Sequence, residues 1–468
     1  MKDVIIIGAG IAGLSAGFEL SKNNMDFQIL ETSSRVGGNI ESLNTAEYLT
    51  ECGPHTFSSN SKETLELIKE LEIEELLIEA SKQSKKRYVY KNNQLLPIPH
   101  GLKDFFNTDL LSKDAKFTIL EEFFIQREEK EESIEGFIGR RFGREVLKNL
   151  VQPFLNGLFG GDVQKLSANA VFPKLKELEK NYKSIFWGTI LSGNFKKIFK
   201  NLTLYSFKHG METLPLAIYD KIKNKVTLDV KEITISKAKD FYIVTFKSNN
   251  KIINYTTNSI LFAIPAYSLS NYSYIFPREY LIDLLQFDYC PIAVVNQVVD
   301  KSKIKLFPDG NPDGFGFLCT KEPHRKLLGS LFSSTIFPER SPQDKALITS
   351  YLGGAHFKKI QDMNEEEIKS LATKETSEIF QVTNQSEIET LNVKLYKNAI
   401  PQYNLGHLEK IKRIEGFMNN NSGLFFTGNY LYGISINDTV KTSKKVVDKV
   451  MDFVKLIKVD KKEALATK

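Results

Sequence analysis

The chain has 468 residues, of which 41% are hydrophobic and 26% charged, a composition that is typical of globular proteins and excludes a largely disordered chain. Its length predicts two or three domains, and its net charge of +6 is modest and concentrated in one segment. Three scattered cysteines argue against a disulfide framework or a zinc site, and no run of eighteen apolar residues occurs. We therefore expect no metal, a reducing compartment and a cytoplasmic location.

The first predicted element is a parallel strand that is buried on both faces, because Val4 to Ile7 form a continuous apolar run. Three glycines follow this strand. Gly8 permits a tight turn, Gly10 allows the backbone to approach a pyrophosphate, and Gly13 allows the next helix to pack closely on the strand. The N-terminus of that helix offers free N–H groups and a positive dipole end to phosphates. The segment predicts a dinucleotide-binding turn.

A second predicted strand, Phe27 to Leu30, ends at Glu31, whose carboxylate can accept hydrogen bonds from ribose hydroxyls. The order of strand, helix, strand and acid disfavours a glycine turn that serves packing alone. Just past the acid, Arg35-Val-Gly37-Gly38-Asn39 is similar to the extended signature of FAD proteins in the glutathione-reductase-like superfamily, amine oxidase branch. A site for NAD would not need this extension, so the sequence predicts FAD.

A basic segment lies in the middle of the chain. Residues 174–208 contain eight lysines against two glutamates, a local excess that equals the net charge of the whole chain. Aromatic residues, including the sole tryptophan Trp187, are interleaved with these lysines, which suits a segment on an anionic membrane surface. A solvated helix face with a few core anchors is the alternative. The segment has no arginine, which argues against nucleic acid as a partner.

We expect an α/β chain in three structural regions. The first is a glutathione-reductase-like, Rossmann-type domain that binds FAD. The second is helical and associates with membranes, and the third is an antiparallel-sheet domain that binds the substrate. The predicted bounds are 1–82, 204–268 and 421–457 for the FAD-binding domain, 83–192 for the helical domain, 193–203 and 269–420 for the substrate domain, and 458–468 for a flexible tail.

Several further motifs resemble the oxygen-dependent, flavin-containing protoporphyrinogen oxidase family over nearly the whole chain, and some of them are not shared by amine oxidases generally. They are Glu51-Cys-Gly53-Pro54-His55, the stretch from Lys86-Arg87-Tyr88 to Pro99, the segments 132–137 and 152–167, Leu328 to Arg340 with Tyr351-Leu-Gly353-Gly354, and Ala399-Ile-Pro401-Gln-Tyr403 with Gly406-His407.

The nucleotide signature and the resemblance together imply a set of FAD-binding residues. A helix after Ile434 can stabilise negative charge on the reduced flavin with its N-terminus. No cysteine occurs after Cys319, so we expect noncovalent FAD. The predicted FAD-binding residues are Gly8, Gly10, Ile11, Ala12, Gly13, Glu31, Thr32, Arg35, Gly37, Gly38, Asn39, Gly53, Pro54, His55, Val230, Pro265, Gly428, Gly433, Ile434 and Ile436.

The resemblance implies a porphyrinogen as substrate and dioxygen as oxidant. A methylene bridge gives a hydride to flavin N5 while a pyrrole N–H loses a proton, and three such steps with reoxidation by dioxygen give protoporphyrin and hydrogen peroxide. Arg87 is implied as a clamp for one propionate, against the alternative of a surface arginine beside Lys85 and Lys86. The backbone carbonyl of Gly161 is implied as the catalytic group near the reacting carbon. Pocket-lining positions are implied at Gly316, Leu318, Leu331 and Tyr351.

Other interpretations stay open. Coproporphyrinogen III, with four propionates, is a second substrate, because Val163 and Thr439 depart from residues that are usual in the family. A flavin amine oxidase, a carotenoid desaturase and a catalytically silent flavoprotein are hypotheses of other classes. No side-chain base stands out, since His55, His324 and His407 are scattered. A homodimer and a chelatase partner are compatible with the sequence.

Overall fold

The computed structural model describes residues 1–45, 47–99, 101–191, 202–420 and 423–466. Its strands are β1 Lys2–Ile7, β2 Phe27–Leu30, β3 Ser42–Asn44, β4 Leu49–Glu51, β5 Phe57–Ser58, β6 Leu77–Glu79, β7 Arg87–Lys91, β8 Gln94–Pro97, β9 Leu204–Phe207, β10 Val226–Thr227, β11 Lys231–Lys237, β12 Tyr242–Ser248, β13 Lys251–Phe262, β14 Tyr289–Asp300, β15 Gly316–Cys319, β16 Leu327–Phe332, β17 Lys345–Gly353, β18 Ile388–Pro401 and β19 Leu424–Phe426. Its helices are α1 Ile11–Lys22, α2 Lys62–Glu70, α3 Leu102–Asn107, α4 Lys113–Leu120, α5 Ile134–Val146, α6 Gln152–Phe159, α7 Ala168–Val171, α8 Pro173–Tyr182, α9 Ile185–Leu191, α10 Thr213–Ile222, α11 Arg278–Leu285, α12 Ser333–Ile336, α13 Glu365–Phe380, α14 His407–Asn419 and α15 Ile436–Ala466.

The first large sheet has the strand order β10-β2-β1-β13-β12-β11, and β19 also pairs with β13. The pairs around β1 and β2 are parallel, whereas β11, β12 and the first half of β13 form an antiparallel meander. Val4–Ile7 is buried, as expected of a strand in a parallel sheet, and α1 packs against α10 and α15. The sheet thus draws its strands from residues 2–30, 226–262 and 424–426.

The second large sheet has the order β18-β14-β17-β16-β15-β7-β8. Its neighbouring strands are antiparallel, except that β7 and β15 run parallel. Phe317, Phe332 and Ile348 share an apolar core with Phe380 of α13. This arrangement confirms the predicted fold class, in which an α/β nucleotide-binding domain is combined with an antiparallel sheet.

The structure differs from the expected helical region at its start, because Arg87–Pro97 forms the hairpin β7–β8 of the second sheet. The turn between the two strands is Asn92-Asn93, and both residues have positive φ angles, 51° and 59°. Two-residue hairpin turns of type I′ need this conformation and favour asparagine. The Asn-Asn pair is therefore the sequence signal that separates this hairpin from the helices that follow.

The helical region contains α3 to α9 and has its own core, which includes Phe137 and Leu155. Arg141 is fully buried and pairs with Glu122 and Glu179 at 2.8 and 2.7 Å. Burial alone would raise the pKa of Glu179, but hydrogen bonds from Lys176, Arg140 and Arg141 outweigh it and lower the pKa to about 2. The charged network therefore holds the helices of this region together. Part of the basic segment, with its lysines at 196, 197 and 200, lies outside the described residues, as does most of the 193–203 segment.

The C-terminal helix α15 continues to Ala466, although the sequence predicts a flexible tail from residue 458. Lysine, glutamate, alanine and leucine fill this end of the chain, and all four favour helix. Within the described ranges, no helix has both the length and the apolar character that a membrane span needs.

Candidate active site

The glycine-rich turn after β1 has one open side. Gly8 has a φ of +104°, and a Cβ at Gly13 would overlap the carbonyl oxygen of Gly8. By contrast, the nearest atom to a Cβ at Gly10 is the Cα of Gly38, at 3.9 Å. The turn is fixed by the Gly37 N–H, which donates to the Ala9 carbonyl at 2.9 Å. The strand and helix thus explain Gly8 and Gly13, while Gly10 exposes backbone that a phosphate can approach.

Glu31 stands at the end of β2, beside this turn. Its carboxylate accepts hydrogen bonds from the backbone N–H groups of Ala9, at 2.6 Å, and Ser33, at 2.8 Å. A carboxylate has about four acceptor positions, so capacity remains for ribose hydroxyls. The neighbouring Val230 donates its N–H to the Glu31 carbonyl at 2.9 Å. The predicted ribose-binding acid is therefore oriented by the backbone of the glycine-rich turn.

Arg35 is committed to the protein itself. Its guanidinium donates to the carbonyl groups of Val36, Gly38 and Ile40, and it pairs with Glu212 at 3.3 Å. These contacts shape the turn that presents the two glycines at 37 and 38. The structure thus gives Arg35 a part in building the cofactor site through the turn, where the sequence predicts a direct contact.

The ends of the parallel strands converge at this place. Gly8 follows β1, Glu31 follows β2, Pro265 lies just after β13 and Gly428 lies just after β19. Ligands of open α/β sheets bind beyond the carboxyl ends of the strands. Ile11 and Ala12 begin α1 here. The structure therefore places these predicted FAD-binding positions at one edge of the sheet.

A third segment completes the edge. Gly433 precedes α15, and its N–H donates to the Tyr403 hydroxyl at 2.7 Å, while that hydroxyl donates to the Asn429 carbonyl at 2.5 Å. Ser435 and Asp438 cap the helix reciprocally. A Cβ at Gly433 would overlap the Asp438 carboxylate. The loop with Ile434 and Ile436 is thus anchored by Tyr403. This residue lies in the family-like motif that begins at Ala399, but the sequence does not predict a role for it.

The segment Gly53-Pro54-His55 connects the nucleotide edge with the second sheet. A Cβ at Gly53 would overlap the carbonyl oxygen of Asn39. His55 is buried, and its Nε2 lies 3.0 Å from the Ser333 hydroxyl of the second sheet's α12. Its Nδ1 is buried and has no hydrogen-bond partner among the described residues. The open backbone at Gly10, the acceptor Glu31 and this unpaired nitrogen fit an FAD molecule that extends from the first sheet towards the second.

All five predicted substrate residues share one face of the second sheet. Gly316 of β15 lies opposite both Arg87 of β7 and Leu331 of β16. In the same way, Gly329 of β16 lies opposite both Leu318 of β15 and Tyr351 of β17. Residues opposite each other in neighbouring strands project to the same side. Leu318, Leu331 and Tyr351 are half-buried. This set, named the substrate face below, presents apolar side chains with one cation at its edge.

Arg87 differs from the lysines around it. Its guanidinium lies 5.2 Å from the centre of the Phe315 ring, and within the described residues it forms no ion pair. Neighbouring Lys86, in contrast, pairs with Asp313 at 2.5 Å. Desolvation lowers the pKa of Arg87, although the side chain stays accessible, and an arginine remains charged under these conditions. Arg87 is therefore a cation that is available to an anionic ligand.

Helix α6 crosses the substrate face and ends at the predicted catalytic position. A Cβ at Gly157 would overlap the Leu318 side chain, so this glycine permits close approach of helix and sheet. At Gly161, a Cβ would lie 2.6 Å from Gln402 Oε1 and 2.7 Å from Leu166 Cδ1. Gln402 donates to the Phe159 carbonyl at 2.9 Å. The turn at Gly161 is thus enclosed, and a side chain at this position would have to displace the side chains of Gln402 and Leu166.

The comparisons with known proteins establish the family. The model of the flavin-containing amine oxidoreductases matches residues 11–451. The chain belongs to this family and is an FAD-dependent oxidoreductase, which confirms the cofactor that the sequence predicts. FAD supplies a hydride acceptor when it is bound, and the residues described above would hold and orient it.

Two curated relatives carry different names. The chain is 29% identical to the chloroplastic protoporphyrinogen oxidase of Nicotiana tabacum, over 96% of this chain and 86% of the relative. It is 28% identical to the coproporphyrinogen III oxidase of Staphylococcus aureus, over 96% of this chain and 99% of the relative.

Solved structures share the fold. A protein from Exiguobacterium that is provisionally named a protoporphyrinogen oxidase superposes with a TM-score of 0.81 at 19% identity, over 96% of this chain and 98% of that chain. A putrescine oxidase variant superposes with a TM-score of 0.70 at 13% identity, over 96% and 99% of the two chains. At these identities the superpositions describe the fold alone.

Proposed function

We propose that this chain oxidises a porphyrinogen to the corresponding porphyrin, with FAD as hydride acceptor and dioxygen as terminal oxidant. The observation that carries the proposal is the substrate face, where Arg87, a cation without an ion pair in the described part of the chain, stands at the edge of a half-buried apolar surface. Porphyrinogens combine an apolar macrocycle with propionate groups. The similarity to relatives with porphyrinogen oxidase names supports the same substrate class.

Each part of the face has a role in this reaction. Arg87 binds a propionate through charge-assisted hydrogen bonds and so fixes the orientation of the macrocycle. Leu318, Leu331 and Tyr351 contact the ring and exclude water from it. Gly161 allows its backbone carbonyl to approach a methylene bridge. Each two-electron step removes one hydride and one proton and reduces one dioxygen to hydrogen peroxide, so three steps remove the six electrons that separate porphyrinogen from porphyrin.

Protoporphyrinogen IX is the first candidate substrate because, among the described residues, Arg87 is the one arginine without an ion pair at the edge of the face. Coproporphyrinogen III is the second candidate, because the Staphylococcus aureus relative of that name matches this chain at 28% identity, close to the 29% of the plant protoporphyrinogen oxidase. Both candidates require the same flavin chemistry. They differ in the number of propionates and therefore in the number of cations that the protein must supply.

We also propose that the helical region rests on an anionic membrane surface at the cytoplasmic side. Phe117, Phe123 and Phe124 are exposed, and Phe124 retains 81% of its accessible surface. The buried side chain of Arg141 donates to two carbonyl groups. One is that of Ile125, which follows Phe124 in the chain, at 3.0 Å, and the other is that of Lys183 at the end of α8, at 2.9 Å. The exposed aromatic rings thus lie near a basic helix end, as an interfacial segment requires.

The test of the catalytic proposal is porphyrin fluorescence. Full-length protein with verified FAD content is mixed under air with protoporphyrinogen or coproporphyrinogen, and the rate is compared with that of buffer. We expect a rate well above autoxidation for at least one substrate, and the ratio of the two kcat/KM values identifies the preferred one. Autoxidation rates with both substrates, together with peroxide formation from a primary amine, would favour an amine oxidase instead.

A further inference from the structure

His55 is a buried histidine whose protonation state can be deduced from its surroundings. Only 5% of its surface is accessible. Burial, together with the positive charge of Arg340, holds the pKa of His55 well below the usual range, so the ring is neutral at physiological pH. A neutral imidazole has one N–H donor and one bare nitrogen that accepts. Which nitrogen is bare follows from the hydrogen bonds behind the ring.

A chain of hydrogen bonds leads from His55 through Ser333 and Thr349 to Asn296, and the contacts of Asn296 determine which group donates at each step. The amide nitrogen of Asn296 lies 3.0 Å from the Glu51 carbonyl oxygen, which can only accept. The amide oxygen of Asn296 therefore faces Thr349 and accepts the hydrogen of the Thr349 hydroxyl at 2.6 Å. Because a threonine hydroxyl has a single hydrogen, Thr349 has none left to donate elsewhere.

The direction passes on to the histidine. Ser333 and Thr349 lie 2.8 Å apart, oxygen to oxygen, and Ser333 must be the donor because the hydrogen of Thr349 is already used. The Ser333 hydroxyl is then left as an acceptor towards His55. Nε2 of His55 consequently carries the hydrogen, and Nδ1 is the bare nitrogen.

That bare nitrogen is buried and has no hydrogen-bond partner in the described part of the chain. An unsatisfied buried acceptor destabilises the folded protein. The charge of Arg340 and the burial of the ring disfavour an imidazolium, so Nδ1 is suited to accept a hydrogen bond and unsuited to remove a proton as a base. The structure therefore contains an acceptor that calls for a donor from a ligand.

The position of His55 selects the ligand. Gly53 and Pro54 connect it to the nucleotide edge. Thr349 lies in β17 of the second sheet, opposite the pocket position Leu331, and Ser333 begins α12, directly after β16 of that sheet. A flavin that reacts with a substrate on this face must reach the region between the two sheets. The flavin half of FAD offers N–H and O–H donors there, from its ring and its ribityl chain.

We propose that Nδ1 of His55 accepts a hydrogen bond from an N–H or O–H group of the flavin half of bound FAD, and that Ser333, Thr349 and Asn296 hold the ring in the tautomer that can do so. The inference uses the cofactor alone and does not depend on which substrate the protein oxidises. It gives Thr349 and Asn296 of the second sheet an indirect part in binding the cofactor, through the orientation of the His55 ring.

Nitrogen NMR of isotope-labelled histidine in the FAD-loaded protein tests the proposal. The His55 signals are assigned by their loss in His55→Leu, and we expect a protonated Nε2 and a bare Nδ1 whose resonance moves upfield when FAD replaces the empty site. Lumiflavin has the flavin ring without the ribityl chain, and riboflavin has both. If the ring N–H is the donor, both compounds move the resonance. If a ribityl hydroxyl is the donor, riboflavin moves it and lumiflavin does not. A protonated Nδ1 overturns the proposal. An Nδ1 resonance that is unchanged by both flavins also overturns it and leaves water as the hydrogen-bond partner of Nδ1.

Variants give an independent readout. His55→Leu removes the acceptor and should weaken FAD binding about tenfold, as measured from the fluorescence of released FAD. Ser333→Ala should weaken it less, because the ring can then adopt either tautomer. Thr64→Ala, which removes a buried hydrogen-bonded hydroxyl in α2, is the matched control and should leave the FAD affinity unchanged. An unchanged affinity in His55→Leu contradicts the proposal, and the NMR measurement on the unaltered chain decides the matter if that variant fails to fold.

Discussion

Arg340 and Glu51 form a buried ion pair, in which Nη2 and Oε1 lie 2.8 Å apart, and it links the segment between α12 and β17 to strand β4. Glu51 also accepts hydrogen bonds from the Ser42 hydroxyl and the Met211 N–H, and Arg340 donates to the Ser206 hydroxyl. Burial raises the pKa of Glu51 and lowers that of Arg340, and each charge partly offsets the effect on the other. The pair therefore joins the sheet that carries the substrate face to the segment that leads to His55.

Removing one partner of this pair should be costly. Arg340→Met leaves a buried carboxylate without compensation and should lower the free energy of unfolding by about 3–5 kcal/mol. Urea unfolding of the FAD-loaded protein measures the loss. The double variant Arg340→Met/Glu51→Gln should recover part of it, because no unpaired charge remains. Lys62→Met, which removes an exposed partner of Glu66, is the control and should cost under about 1 kcal/mol. If Arg340→Met and Lys62→Met lowered the free energy of unfolding by the same amount, a structural role for the buried pair would be contradicted.

Arg87 should act on substrate binding rather than on the chemical step. Arg87→Ala removes a charge-assisted contact and should raise KM about 30-fold with little change in kcat, a loss of about 2 kcal/mol. Initial rates from porphyrin fluorescence over a range of porphyrinogen concentrations give both constants. Lys86→Ala is the matched control, because Lys86 is adjacent but already paired with Asp313, and its KM should stay within about twofold. Equal effects of the two variants would show that the region contributes general charge alone.

The turn at Gly161 should tolerate no side chain. Gly161→Ala directs a Cβ at Gln402 and Leu166, and Gln402 is held by the carbonyl groups of Phe159 and Ile400. We expect the backbone to shift and kcat to fall about tenfold or more while the flavin absorbance stays normal. Gly139→Ala in α5, where no atom lies within 4 Å of the new Cβ, should leave kcat unchanged. A fully active Gly161→Ala would remove the proposed role of its carbonyl.

The sequence predicts the local parts of this site from their spacing, assigns the distant positions only through the family resemblance, and does not reveal the contacts that join them. The glycine-rich turn and Glu31 lie within one strand–helix–strand unit, so their spacing alone determines their chemistry. Arg35 falls in the same signature, but nothing in its spacing distinguishes a direct contact with FAD from hydrogen bonds to its own turn. Glu51 and Arg340 are separated by 289 positions, and only the packing of two sheets brings them together.

Other errors had local causes. The hairpin β7–β8 interrupts a stretch that otherwise forms helices, and its signal is confined to the pair Asn92-Asn93. At the other end of the chain, polarity suggested a flexible tail, whereas helix-favouring residues extend α15 to Ala466. Tyr403 lies in one of the family-like motifs, yet its role depends on the loop at Gly433, which folds against it from elsewhere in the chain.

Membrane binding should depend on the exposed aromatic residues of the helical region. Phe124→Ser together with Phe117→Ser removes apolar area that is now exposed and should weaken sedimentation with vesicles of anionic phospholipid several-fold. Ile282→Ser, which removes an exposed apolar side chain from α11, is the control and should not change sedimentation. Binding that is the same for all three proteins, or that is indifferent to the anionic lipid, would contradict the membrane proposal.

The central claim is that this protein passes electrons from a porphyrinogen to its flavin, and an anaerobic reaction tests it most directly. FAD-loaded protein is mixed without oxygen with an excess of protoporphyrinogen, and in parallel with coproporphyrinogen, while flavin absorbance is recorded. We predict that the flavin is bleached by at least one of the two and that admission of air restores its absorbance as porphyrin fluorescence grows. Flavin that stays oxidised with both porphyrinogens would contradict the proposed function.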